Sequence, residues 1–214
     1  MFPNTGNLLP FKRLCSRNVV GIAEAATQAY ADEGVLLIRS MNVTENGLNT
    51  QDWLYIDRTL ADKNRSRYLR FGDILTVRTG NAGISAVLPQ ELVGSQCFTL
   101  LVSSPHPENS SHYYAEYLNS TPAKHYFALE SWGTAQLNIS VPILQNLPCP
   151  VPPPDEQRQI ADEINSQKAE RNRQISFAAR GIALLREYRA ALISAAVTGQ
   201  LDIRKHENRI EALA

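Results

Sequence analysis

Arg78-Thr79-Gly80-Asn81 and Gln136-Leu137-Asn138 hold the side chains of this chain best suited to specific recognition. Arg, Asn and Gln carry paired hydrogen-bonding groups, and such pairs distinguish guanine and adenine edges in the major groove of a duplex. Lys63, Arg65, Arg67 and Arg70 lie just upstream. Cations of this kind reach phosphates, which position a protein without reading sequence. Together with Arg78 they set five basic residues against the single acid Asp73. The whole chain, by contrast, has 21 basic and 21 acidic residues and no net charge, which argues against indiscriminate polyanion binding. A local basic patch on a neutral protein fits a surface that meets nucleic acid in one place. The plainer account of the patch is a solvated charged face. For Gln136 and Asn138 it is local turn hydrogen bonding, and for Thr79-Gly80-Asn81 a hairpin turn, which can carry a contact as well.

Signs of bond-making chemistry are absent from the sequence. There is no phosphate loop of the GxxxxGK[ST] type, no GxGxxG after a strand and no GxSxG elbow. His106, His112, His125 and His206 are scattered without partners at metal-ligand spacing, so neither a catalytic nor a metal site is expected. Pro152-Pro153-Pro154-Asp155 is not the Asn/Asp-Pro-Pro-aromatic loop of an amino-methyltransferase, and no acid cluster stands near a lysine as a nuclease would need. Cys15, Cys97 and Cys149 are odd in number and widely spaced, which reads as reduced thiols in a cytoplasmic protein. No apolar run reaches the ~20 residues that cross a bilayer, so no membrane role is expected.

The elements that must position the candidate residues are short and mixed. Gly34–Arg39 and Cys97–Val102 read as buried strands, and Trp53–Ile56 as a short one. Ile74–Arg78 reads as a strand that returns through the glycine-bearing loop as Ile84–Leu88, making a hairpin. His112–Asn119 reads as a helix with Tyr113, Tyr114, Tyr117 and Leu118 along one side, whereas Tyr126–Trp132 is open between helix and strand. Gly133–Ser140 opens as a loop and closes as a short strand, and Pro142–Leu147 reads as a helical turn.

A stiff run, Pro148-Cys149-Pro150-Val151-Pro152-Pro153-Pro154, then leads into a stretch without strong breakers from Asp155 to Thr198, apart from Gly181. Proline is tolerated in a first turn, Asp155 and Glu156 suit a helix N-terminus, and Gly199 suits a C-terminal cap. The expected helix has about 44 residues and a length of about 65 Å. Ile175, Ala178, Ile182, Leu185, Arg189, Leu192 and Ala196 alternate at spacings of three and four, a heptad seam with one polar exception. The seam is expected to pair with another long helix; the alternative is packing along its own globular domain. The fold class expected is a mixed α+β (α/β) globular domain over residues 1–153, one long coiled-coil-forming helix over 154–199, and a tail over 200–214.

Four segments occur in order: Arg78-Thr79-Gly80-Asn81-Ala82-Gly83, Gly133 to Ser140, Leu147 to Gln157, and Ala195-Ala196-Val197-Thr198-Gly199-Gln200-Leu201-Asp202. In this combination the chain resembles the specificity subunit of type I restriction–modification systems, at half the usual length. The resemblance implies a target recognition domain followed by a helix that pairs antiparallel with a second one. It also implies a subunit that does no chemistry itself. Such a subunit reads half of a split double-stranded DNA target and docks a methyltransferase subunit, which uses S-adenosylmethionine, and a restriction subunit, which uses ATP and Mg. No cofactor is expected on this chain. The half length and the unpaired seam together predict a homodimer with Ile175, Ala178, Ile182, Leu185 and Leu192 at the seam. The DNA-contact set is expected to be Lys63, Arg65, Arg67, Arg70, Arg78, Thr79, Asn81, Gln136 and Asn138. A coiled-coil adaptor that binds protein only, and an unrecognised DNA-modifying enzyme, are the competing readings.

Overall fold

A computed structural model of the chain describes residues 8–22, 30–131 and 137–200. In chain order its elements are β1 (Leu8–Pro10), β2 (Cys15–Val20), β3 (Tyr30–Ala31), β4 (Val35–Ile38), β5 (Val43–Thr44), β6 (Gly47–Leu48) and β7 (Leu54–Ile56). There follow α1 (Arg58–Lys63), β8 (Ile74–Thr76), β9 (Ser85–Val87), β10 (Gln96–Cys97), β11 (Leu101–Pro105), α2 (Ser111–Leu118) and α3 (Thr121–Glu130). The chain closes with α4 (Val141–Asn146), β12 (Pro148–Pro150) and α5 (Pro154–Val197). The architecture is mixed α+β, with small sheets followed by one long helix. Contacts divide it into two compact units between Ile164 and Asn165, so the opening turns of α5 belong to the globular unit.

Two four-stranded sheets carry the globular unit, in the orders β2-β11-β8-β9 and β10-β4-β7-β3. The first is antiparallel throughout. In the second, β10 runs parallel to β4. All three residues of β8 are buried, because one strand face meets each of two apolar layers. The expected hairpin of β8 and β9 is present, with Leu75 opposite Ala86.

Cys97–Val102 is not the single strand that its largely apolar run predicts. Thr99 stands at φ 54°, an uncommon conformation for a β-branched residue, and breaks the run. Before it, β10 pairs with β4; after it, β11 lies between β2 and β8. One segment thus serves both sheets, and a single β-branched Thr99 among apolar residues reads as strand, so it gives no sign that the chain changes partner there.

Helices α2 and α3 close the first sheet. Ser110 caps α2 by accepting from the Tyr113 N–H at 3.3 Å. Tyr113 and Tyr114 are fully buried and pack edge to face, 5.0 Å apart at 84°. Burying a large side chain of this kind contributes about 1.5–3 kcal/mol. Tyr126 to Glu130 resolves as helix within α3; Trp132 lies outside the described residues. Burial pushes the Cys15 and Cys97 thiols up to about 12 and the Cys149 thiol well above its ordinary value. All three cysteines are unpaired and buried, so they pack as small apolar groups and not as nucleophiles.

The proline run is partly a strand. β12 pairs antiparallel with β1, with Leu9 opposite Cys149. Pro148 and Pro150 donate nothing, which suits a two-stranded edge. Gln157 then fastens the first turns of α5. Its Oε1 accepts the Ser110 N–H at 2.8 Å, and its Nε2 donates to the Pro152 carbonyl at 2.9 Å. At the far end Gly199 stands at φ 73°. There the Gln200 N–H donates to Ala195 O at 2.8 Å and the Gly199 N–H to Ala196 O at 3.2 Å, a cap that needs a left-handed residue.

Candidate nucleic-acid interface

The loop that ends the β8–β9 hairpin is held from several sides. The Val77 N–H donates to Ile84 O at 2.8 Å, and the Gly83 N–H returns to Val77 O at 2.9 Å. Gly83 has φ 93°, and a Cβ there would stand 3.0 Å from the Phe127 ring, so position and conformation both ask for glycine. Across the chain, Thr79 forms an antiparallel bridge with Asn138. The Ile139 N–H donates to Arg78 O at 2.9 Å, and the Ile139 side chain is fully buried in the core. Arg78 Nε then donates to Asn138 Oδ1 at 3.1 Å.

Arg78, Thr79 and Asn138 are therefore brought together. Thr79, Asn81 and Asn138 are exposed and Arg78 is half-buried. Gln136 lies outside the described residues. Asn119, which follows α2, exchanges two 2.8 Å hydrogen bonds with the backbone of Ser85, two residues after Gly83. Gln157 holds the other end of α2. The loop and the root of α5 thus sit at opposite ends of that helix.

The basic stretch divides into different roles. Lys63 and Arg65 are exposed around a shallow depression with Arg58, Thr59 and Asp62. Arg65 faces Asp62 at 3.4 Å, and with side chains 77% and 43% exposed this pair is largely screened. Arg70 is exposed on a turn, its N–H donating to Asp73 Oδ2 at 2.9 Å. Arg67 is half-buried, and its Nη1 donates to the carbonyls of Val20 at 3.1 Å and Gly21 at 2.5 Å.

Arg17 and Asp73 were not legible as a pair in the sequence. Asp73 is 1% exposed, and Arg17 Nη2 reaches its Oδ2 at 2.5 Å. Ser104 Oγ donates to Asp73 Oδ1 at 2.5 Å. The one acid in the basic stretch is consequently neutralised inside the protein, by a cation 56 residues away. Lys63, Arg65 and Arg70 face solvent without it. Among the described residues, no three His, Cys, Asp or Glu side chains converge to hold a metal ion, and no helix is long and apolar enough to cross a membrane.

The seam residues of α5 face solvent: Ile175 is 59%, Ile182 53%, Leu185 68% and Leu192 37% exposed, and Ala178 is exposed with them. A second line was missed in the sequence. Phe177, Leu184 and Tyr188 are 76%, 69% and 63% exposed, and their spacings of seven and four put them on one face. The heptad spacing that revealed the first seam would have revealed this one too.

A family model for the type I restriction modification DNA specificity domain matches residues 25–175. The chain is similar in fold to the crystal structure of the HsdS subunit from Thermoanaerobacter tengcongensis, with a TM-score of 0.60 and 17% identity over 81% of this chain and 44% of that one. It is similar also to a structure reported for complex assembly and conformational transition of the type I R-M system, with a TM-score of 0.58 and 20% identity over 80% of this chain and 43% of that one. The chain therefore spans less than half the length of either. No curated protein matches it at a significant level.

Proposed function

The chain belongs to the family of type I restriction modification DNA specificity domains, and from that premise we propose that it recognises one half of a bipartite DNA target as an antiparallel homodimer. Two-fold symmetry then presents two identical recognition units to one duplex, so the target consists of two inverted half-sites around an unread spacer. The DNA-contact set is Arg78, Thr79, Asn81, Gln136 and Asn138, with the exposed Lys63, Arg65 and Arg70 supplying cations and Arg67 tying their segment to Val20 and Gly21. The chain is the non-catalytic, cytoplasmic member of its complex. A methyltransferase subunit carries S-adenosylmethionine, and a restriction subunit uses ATP and Mg.

The observation that carries this reading is the match of residues 25–175 to the DNA specificity domain, and the donor-rich loop of Arg78, Thr79 and Asn138, held from the core by Ile139, gives that domain a surface suited to DNA. Mapping methylated adenines in cells that express the chain with its methyltransferase subunit tests it. The expected result is modification confined to one motif with inverted halves. Modification without sequence preference would sink the reading.

The exposed apolar lines of α5 also suit an adaptor that binds protein only. Duplex binding by the chain that weakens steeply with salt excludes that alternative.

A further inference from the structure

We propose that Arg78 is a fixed contact to a DNA backbone phosphate and that Asn138 is its positioning residue, so that neither reads a base. The proposal rests on the reading that this chain binds duplex DNA.

Three observations carry it. The first is the restraint on Arg78. Its carbonyl accepts the Ile139 N–H at 2.9 Å, and the preceding residue, Val77, is 1% exposed. Its Nε is bound to Asn138 Oδ1 at 3.1 Å. The guanidinium thus lies tied to the neighbouring segment at the protein surface. A base-reading arginine must extend into a major groove about 8.5 Å deep. The bond to Asn138 instead holds the Arg78 guanidinium in one orientation beside the neighbouring segment. Phosphate oxygens stand at the groove rim, where a guanidinium held at the surface can meet them with its Nη1 and Nη2 donors.

The second observation is the role of Asn138. An asparagine reads adenine by using its amide oxygen and nitrogen together. Here the oxygen accepts from Arg78, so one half of that pair is already engaged. The third is charge. Residues 78–84 and 137–140 contain Arg78 but no Asp or Glu. Thr79, Asn81 and Asn138 add exposed polar side chains. An anion at this loop meets donors and no opposing carboxylate within either segment.

The test uses the full chain with its methyltransferase subunit and two duplexes of equal length, one with the mapped target and one unrelated. Affinity is measured across a salt series, and the methylated motif is mapped for each variant. Arg78→Ala is expected to weaken binding to both duplexes by the same factor, about tenfold. It is also expected to lower the slope of log affinity against log salt by about one. The methylated motif stays the same. Arg78→Lys restores the slope and part of the affinity, and it replaces the alanine variant if that one does not fold. Asn138→Leu lowers affinity for both duplexes with little change in slope, because the charge remains but its position is lost. Asn138→Gln, which keeps an uncharged amide acceptor for Nε, serves as the conservative partner and leaves the motif unchanged. A changed motif in any Arg78 variant, or a loss confined to the target duplex, overturns the proposal in favour of base reading. Unaltered binding by Arg78→Ala overturns it as well. Wild-type protein that binds neither duplex removes the DNA reading itself, and the proposal with it.

Discussion

Asp73 accepts hydrogen bonds from Arg17 Nη2, Ser104 Oγ and the Arg70 N–H, so its carboxylate is satisfied while almost wholly buried. Removing it would leave the Arg17 guanidinium, with its side chain 12% exposed, without a counter-charge. Asp73→Ala is therefore expected to lower unfolding stability by about 3–5 kcal/mol, read from urea denaturation followed by circular dichroism. A loss under 1 kcal/mol would mean that the backbone carbonyls of Ser66 and Tyr68, which also accept from Arg17, suffice to hold it. At this scale the sequence was informative about residue type and silent about partners. Arg78 was legible as a cation at a strand end because glycine and asparagine follow it. That Asn138 accepts from it was not, since no local pattern links positions 60 apart. Arg67 counted as one more surface cation, yet two carbonyls of another strand end take its Nη1. Asp73 counted as the lone opposing charge, yet it is a buried partner of Arg17.

Among the elements, α5 was the most legible, because its boundaries are written in residue chemistry. Proline in the first turn, Asp155 and Glu156 beside the unpaired N–H groups, and glycine in the left-handed cap fix Pro154–Val197 to within one residue of the expected span. Buried apolar runs were less legible, since their partners decide where they end, as Thr99 shows. The exposed lines of α5 favour burial against another helix: Ile182 and Leu185 leave more than half of their surface in water. Replacing both with Asp is expected to halve the sedimenting mass while the globular unit keeps its near-ultraviolet circular dichroism signal. If the double variant still sediments with the wild-type mass, the seam lies elsewhere on α5, and the line of Phe177, Leu184 and Tyr188 is the next to test.

For the whole molecule, the expected species at micromolar concentration is a dimer. Sedimentation equilibrium of the wild-type chain should return twice the chain mass, and a monomer there would mean that a second specificity subunit supplies the pairing helix. The pairing of β1 with β12 bears on the molecule in another way. Leu8 stands opposite Pro150 and Pro10 opposite Pro148, so the strand that opens the globular unit and the strand that leads out of it are hydrogen-bonded neighbours. A unit whose two ends meet at one point is a cassette. Its exit still includes the opening turns of α5, where Gln157 is bonded to Ser110 and Ala161 is buried in the core, so a graft that keeps it whole must run on through Ile164.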